Sequence, residues 1–175
     1  MGENMLPFTG IRVIDATIVW SGPYCAKQFA DFGAEVIKLE SAKHMDTSRG
    51  QANPPRGSGT YPDGEPGPRP WNRSGLFNAL NTSKLSLSLD LTSPKGIATF
   101  KRLAKVSDVV IDNFRAKVMD RFGLGYEALR EVNPSIIVIS MSANGMTGPE
   151  RDYGAFGATL EQTTGMAWLT GYGPN

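Results

Sequence analysis

Apolar and polar positions alternate along the chain with two periods, and each change of period marks a predicted element. Residues 11–16 are a short β-branched run typical of a buried strand. Over residues 23–32 apolar side chains recur at helical spacing, and Gly33 is placed to end that helix. Residues 35–40 then predict a second strand, so the chain opens with a β-α-β unit.

The same alternation continues through the second half of the chain. Residues 85–91 alternate with period two, which predicts a strand with one solvated or differently packed face. A helix is predicted to start at Pro94, and a short one over 126–132. Residues 108–113 and 135–140 resemble buried parallel strands. The pattern therefore predicts an α/β fold with an open, mostly parallel, Rossmann-like sheet and flanking helices.

One stretch departs from this alternation. Residues 41–73 are dominated by glycine, proline and polar side chains, which indicates a long loop within one domain and not a linker between two. So long a loop in a compact unit is usually functional or mobile. Two interpretations stay open: a flap that faces the substrate, or a solvated insertion.

Composition narrows the class of protein. With 175 residues, 40% hydrophobic and 20% charged, the chain has the balance of a soluble globular protein. A formal net charge of +1 makes nucleic acid an unexpected partner. The single cysteine, Cys25, cannot form an internal disulfide, and no apolar run approaches the roughly 20 residues that a membrane span needs. A cytoplasmic location and no membrane contact are therefore expected.

The turn after the first strand is the first candidate for chemistry, because α/β sheets bind ligands at the carboxyl ends of their strands. Residues 17–23 lack the glycine fingerprint of a dinucleotide site, which disfavours NAD. Val19 and Trp20 offer an apolar face with an indole NH, suited to a pantetheine arm or an acyl group. The alternative is a hydrophobic plug over the sheet.

Cations near two other strands are candidates for binding phosphate. Asn81 and Lys84 place an amide and an ammonium where the third strand begins, although such a lysine is more often a solvated surface charge. Arg115, Lys117 and Arg121 follow another strand end and are three cations within seven residues. A solvated helix face is the equally weighted alternative for that cluster.

Several segments, taken together and in order, resemble the family III coenzyme A (CoA) transferases, the CaiB/BaiF family, over residues 6–175. The matching segments are 10–15 with Gly22 and Pro23; 33–38 with Glu40; Asn81 with Lys84 and Asp90; 112–114; Arg121 with 123–126; Asn133 with Pro134; and Gly148 with Pro149. So many ordered matches are improbable by chance.

The resemblance implies a set of cofactor-binding residues. Those matching the family's CoA site are Val19, Trp20, Asn81, Lys84, Val118, Arg121 and Phe122. Lys84 and Arg121 would be the phosphate partners, since charge-assisted bonds to phosphate are about twice as strong as neutral ones. Some members carry an arginine where this chain has Ser41, and Lys43 is the candidate substitute. Some transferases have a polar residue where this chain has Trp20, which favours a different acyl group or acid.

The resemblance also implies a reaction. Family members move CoA from an acyl-CoA donor to a carboxylic acid through an aspartyl intermediate. The expected substrates are thus CoA or acyl-CoA and a carboxylic acid, with no metal. The expected assembly is an interlocked homodimer or a complementing chain.

Family members are roughly twice this length or more, which sets the expected domain organisation. Residues 1–175 would be the N-terminal segment of the large CoA-binding domain, without the small domain and the C-terminal segment. The catalytic aspartate is expected beyond Asn175, so no catalytic residue is assigned. One alternative is a 2-methylacyl-CoA racemase, which is disfavoured because Phe156 aligns with the racemase histidine and the single histidine, His44, lies elsewhere. The other is a non-catalytic CoA-binding fragment or subunit.

Overall fold

A computed structural model describes residues 5–50 and 61–171 and shows five parallel strands in one sheet. The strands are β1 (Arg12–Ala16), β2 (Glu35–Glu40), β3 (Leu85–Ser88), β4 (Val109–Asp112) and β5 (Ile137–Ser140). Their order is β3-β2-β1-β4-β5, and every neighbouring pair is parallel. The predicted α/β fold with a parallel sheet is confirmed.

Helices connect the strands and extend the chain beyond β5. They are α1 (Ser21–Asp31), α2 (Gly75–Leu80), α3 (Pro94–Ala104), α4 (Val118–Arg121), α5 (Tyr126–Arg130), α6 (Gly157–Thr163) and α7 (Met166–Leu169). Pro94 occupies the first turn of α3, and the Ser93 hydroxyl accepts the free amide of Gly96 at 3.0 Å. In the described part of the chain, every helix is too short or too polar to cross a membrane.

Two apolar layers sandwich the sheet, because successive residues of a strand point to opposite faces. Ile14 and Val110 face one layer, where Phe100 of α3 is fully buried. Val13 and Ile111 face the other, against the small residues of α1. Cys25 of α1 is half-buried beside this second layer, and burial raises the pKa of its thiol, which favours a packing role.

The edge strands correct one expectation. Residues 135–140 were predicted to form a buried strand, but β5 is the edge of the sheet, and Ile137 is 57% exposed. The β-branched run is indistinguishable from that of β4, which is buried throughout because it has a strand on each side. At the opposite edge, β3 exposes Ser86 and Ser88, in keeping with the predicted solvated face.

The loop over 41–73 is ordered in both of its described parts. It contains three short 3-10 helices, Thr47–Arg49, Pro62–Gly64 and Pro70–Asn72. Tyr61 and Pro70 are buried, and the bidentate ion pair of Arg49 with Glu40 fixes its first part to β2. Residues 51–60, within the predicted flap or insertion, lie outside the described residues.

Candidate functional site

The strand order creates a switch point between β1 and β4. From β1 the chain adds β2 and β3 on one side of the sheet, and it then crosses to add β4 and β5 on the other side. Ligands of open α/β sheets bind at such points, beyond the carboxyl ends of the strands. A cleft of about 630 Å³, within the size range of small-molecule sites, extends from this point across the carboxyl ends of β1, β2 and β3. Its apolar lining consists of Ala16, Ile18, Leu39, Met45, Leu89, Leu91, Phe114, Val118 and Phe122.

Charged side chains also line this cleft. The Lys43 ammonium lies 2.9 Å from the Asp90 carboxylate, and His44 lies next to it along the chain. The Lys43 side chain is 72% exposed, so solvent screens the pair and the lysine is able to exchange partners. The carboxylates of Glu40 and Asp46 also line the cleft, and each is paired with a basic side chain. Lys43 and His44 add basic groups beside the apolar part of the lining, the combination that a ligand with an apolar part and an anionic part requires.

The turn between β1 and α1 lies at one side of the cleft, where Ile18 contributes to the lining. Val19 has φ 72°, a left-handed conformation that is rare for a β-branched residue. Trp20 follows as the N-cap of α1 and is 60% exposed, with no side-chain bond to the free amides of the helix. The predicted pair Val19–Trp20 is thus a strained turn that presents an indole to solvent.

A cluster of buried charges lies under the same turn, on the α1 face of the sheet. The Lys84 side chain is 1% exposed. Its ammonium donates to the Asp15 carboxylate at 2.8 Å, the Pro23 carbonyl at 2.8 Å and the Asn81 side chain at 2.9 Å. Burial lowers the pKa of Lys84, and the Asp15 carboxylate opposes that shift. All three protons of the ammonium are engaged.

The seven residues predicted for the cofactor site lie in four places. Val118 and Phe122 line the cleft. Val19 and Trp20 form the adjoining turn, and Arg121 is exposed beside Phe122 at the end of α4. Asn81 and Lys84 point into the buried charge cluster, so their bonds reach β1, α1 and α2 and not the cleft.

The structure adds cleft residues that the sequence did not single out. Phe114 lines the cleft two residues after β4, and Ile18, Met45 and His44 join it from loops. Phe114 had a detectable signal, since it follows a predicted strand end directly. Met45 and His44 had none, because they lie in the glycine- and proline-rich stretch with no periodicity.

Three aspartates at strand ends hold turns. Asp15, Asp90 and Asp112 each accept a hydrogen bond from the backbone amide two residues further on, as aspartates in turns commonly do. Burial raises the pKa of Asp112, against the opposing bonds from Ser140 and Phe114. Among the described residues, histidine, cysteine and acidic side chains form no group of three or more that could hold a metal ion.

Comparisons with known proteins agree on one relationship. The model of CoA-transferase family III matches residues 8–175. The chain is 37% identical over 172 residues to a succinate–glutarate CoA-transferase of Agrobacterium fabrum, covering 98% of this chain and 41% of that protein. It is 36% identical to a succinyl-CoA–D-citramalate CoA-transferase of Chloroflexus aurantiacus, covering 95% of this chain and 38% of that one.

Solved structures give the same relationship in three dimensions. A CaiB/BaiF family protein of Brucella suis superposes with a TM-score of 0.79 at 32% identity, over 95% of this chain and 41% of that one. The chain thus spans about two fifths of the length of the relatives it matches.

Proposed function

The chain belongs to CoA-transferase family III, and from that premise we propose that the whole protein transfers CoA from an acyl-CoA donor to a free carboxylic acid. Residues 1–175 would supply the N-terminal segment of the large CoA-binding domain. Both relatives described above are named for succinate or succinyl-CoA and a second dicarboxylic acid, so a small dicarboxylic acid is the proposed acceptor.

The cleft beyond the carboxyl ends of the strands is the observation that carries this proposal. CoA has an apolar pantetheine arm, a flat adenine and several phosphates. The cleft combines an apolar wall that includes Phe114 and Phe122 with the basic side chains of Lys43 and His44. Aromatic faces suit the adenine, and an ammonium suits the phosphates.

The predicted site residues take different roles in this proposal. Val118 and Phe122 contact the cofactor from α4 and the residue that follows it, and Val19 and Trp20 contact it from the turn. Arg121 and Lys43 bind phosphate, with Lys43 as the substitute for the family arginine at Ser41. Asn81 and Lys84 support the site from the buried charge cluster, because all three Lys84 donors are engaged there.

The proposed chemistry passes through an enzyme aspartate. Its carboxylate attacks the donor thioester, which releases CoA thiolate and leaves a mixed anhydride; the thiolate then displaces the donor acid to give an aspartyl thioester. The acceptor carboxylate attacks that thioester, which releases CoA thiolate and forms a second mixed anhydride. The thiolate then attacks the acceptor carbonyl of this anhydride, which gives the new acyl-CoA and frees the aspartate carboxylate. We assign no residue of this chain to the role, because Asp15, Asp90 and Asp112 each hold a turn. The active assembly is proposed to be an interlocked homodimer or a pair of complementing chains.

Calorimetric titration with CoA tests the cleft. Val118→Phe places a ring in the cleft and is expected to weaken CoA binding by roughly tenfold or more, which is about 1.4 kcal/mol. Val106→Phe is the matched control, because Val106 is exposed in the connection between α3 and β4. Equal affinities for the two variants would show that CoA does not use this cleft.

Product analysis tests the reaction itself. Succinyl-CoA is incubated with the protein and a panel of mono- and dicarboxylic acids, and new thioesters are identified by mass spectrometry. Transfer to a dicarboxylic acid is the expected result. Loss of configuration in a 2-methylacyl-CoA without transfer would favour the racemase instead, and binding without any turnover would favour a non-catalytic subunit.

A further inference from the structure

The turn between β1 and α1 is held through its backbone by side chains from other parts of the chain. The Asn113 side chain accepts from the Ile18 amide at 2.8 Å and donates to the Ile18 carbonyl at 2.7 Å. The Val19 amide donates to the Asp46 carboxylate at 3.0 Å, and Lys38 donates to the Thr17 carbonyl. Successive peptide groups of the turn are therefore fixed by partners outside it.

These partners come from three separate segments. Lys38 lies on β2, Asp46 in the loop after β2, and Asn113 directly after β4. Lys38 and Asp46 also pair with each other at 3.2 Å, with side-chain exposures of 2% and 0%. The Asp46 carboxylate accepts from the amide and hydroxyl of Ser48 as well, at 2.9 and 2.8 Å. With its acceptors satisfied, this carboxylate is itself held in one orientation.

The conformation of Val19 explains why such a clamp is required. A β-branched residue in the left-handed region is strained, and it persists only where the surrounding structure fixes it. Without its partners, the turn would relax to an ordinary backbone conformation. That change would move Ile18, which lines the cleft, and Trp20, which follows the strained residue.

We propose that Asn113 and Asp46 are positioning residues that hold the Thr17–Trp20 turn in the strained conformation required for binding CoA. The inference rests on the proposed function, since it assumes that CoA occupies the cleft beside the turn. Asn113 does not line the cleft and acts through the backbone of Ile18, whereas Asp46 lines the cleft and also holds the Val19 amide. The test therefore uses Asn113.

Trp20 provides a readout that does not depend on CoA. Residues 1–175 contain three tryptophans, so a background with Trp71→Phe, Trp168→Phe and phenylalanine at any tryptophan outside these residues leaves Trp20 as the single reporter. In that background Asn113→Ala is expected to shift the Trp20 emission maximum and change its quenching by acrylamide. The Kd for CoA should rise roughly fivefold or more, the ratio expected for losing about one net hydrogen bond.

Asn133→Ala is the matched control. The Asn133 side chain also ties a loop together, donating to the carbonyls of Ala104 and Ser107 at 3.0 and 2.8 Å, but near the amino end of β4. The Asn133→Ala variant should lower the free energy of unfolding in urea, as Asn113→Ala does. Unlike Asn113→Ala, it should leave the Trp20 emission and the Kd for CoA unchanged. If Asn113→Ala fails to fold, Asn113→Asp carries the same test, because it keeps an acceptor for the Ile18 amide and loses the donor to its carbonyl.

The two readouts separate failure of this inference from failure of the proposed function. Asn113→Ala could lower the free energy of unfolding and, like Asn133→Ala, change neither the Trp20 emission nor the Kd for CoA. In that case Asn113 has only a structural role, and the inference is wrong. If Trp20 responds to Asn113→Ala while the unmodified protein itself binds no CoA, the clamp exists but the proposed cofactor is wrong. A Trp20 response together with weaker CoA binding supports both.

Discussion

Asp46 shows how one buried residue links charge to stability. Burial alone raises the pKa of this carboxyl, but the Lys38 ammonium and the bonds from Ser48 and Val19 outweigh it, and the pKa lies below its ordinary value of 3.8. A carboxyl with a lowered pKa stabilises the fold above its unfolded pKa. That contribution is lost as the pH falls below 3.8 and through the pKa of the folded state.

The corresponding prediction concerns acid unfolding. The free energy of unfolding, measured by urea titration between pH 2 and about 6, should fall with decreasing pH less steeply in Asp46→Asn than in the unmodified protein. Asp90→Asn is the matched control, because the pKa of Asp90 is also lowered, chiefly by Thr92 and Lys43, but its carboxylate is exposed to solvent that screens it. If Asp90→Asn reduced the pH dependence of the free energy of unfolding as much as Asp46→Asn or more, the buried Lys38–Asp46 pair would not be the main source of acid sensitivity.

At the scale of an element, the junction of β3 and α3 depends on a glycine inside the helix. A Cβ on Gly96 would lie 1.9 Å from the Asp90 carbonyl oxygen, so the helix packs directly on the backbone that precedes it. Helix propensity favours alanine over glycine by about 1 kcal/mol, but relieving the clash requires α3 to move away from the sheet.

Two glycine substitutions separate packing from propensity. Gly96→Ala is expected to destabilise the protein by about 1–3 kcal/mol, as overpacking does. Gly157→Ala in α6 has nothing within 4 Å of the added carbon and should be neutral or stabilising by up to about 1 kcal/mol. Urea unfolding of the two variants measures both values, and a stabilising Gly96→Ala would show that α3 is not packed so closely.

At the scale of the whole molecule, the described residues beyond β5 bury little of their side-chain surface. Residues 142–171 include none that is buried, and α6 and α7 lie in this segment. Phe156 is 71% exposed and Trp168 is 89% exposed. So much exposed apolar surface in one segment is typical of a region that another surface covers.

Hydrogen exchange tests this property of the assembly. In dilute protein the amides of α6 and α7 should exchange much faster than those of α3, because they lack buried contacts. If a second copy covers the segment, as the proposed homodimer requires, protection of α6 and α7 should rise with protein concentration while that of α3 stays constant. Protection that is high and independent of concentration would contradict this.

Local patterns in the sequence are enough to predict the strands, several of the helices and the family. The predicted strand over 35–40 coincides with β2, and the helix predicted from Pro94 begins there, because periodicity and capping are local properties that a linear pattern records. The ordered motifs that resemble family III extend over nearly the whole chain, as does the match to the family model. Val118 and Phe122, taken from that resemblance, do line the cleft.

Which strands form the edges of the sheet, and which charged side chains are buried, depends on the tertiary structure. β4 and β5 have equivalent sequences, and their burial differs because a neighbouring strand lies on both sides of one and on one side of the other. Lys84 meets Asp15 across 69 positions of sequence, and Ile18 meets Asn113 across 95. Pairings over such distances depend on how the whole sheet is assembled, so no local pattern reveals that this lysine is buried or that this turn is clamped.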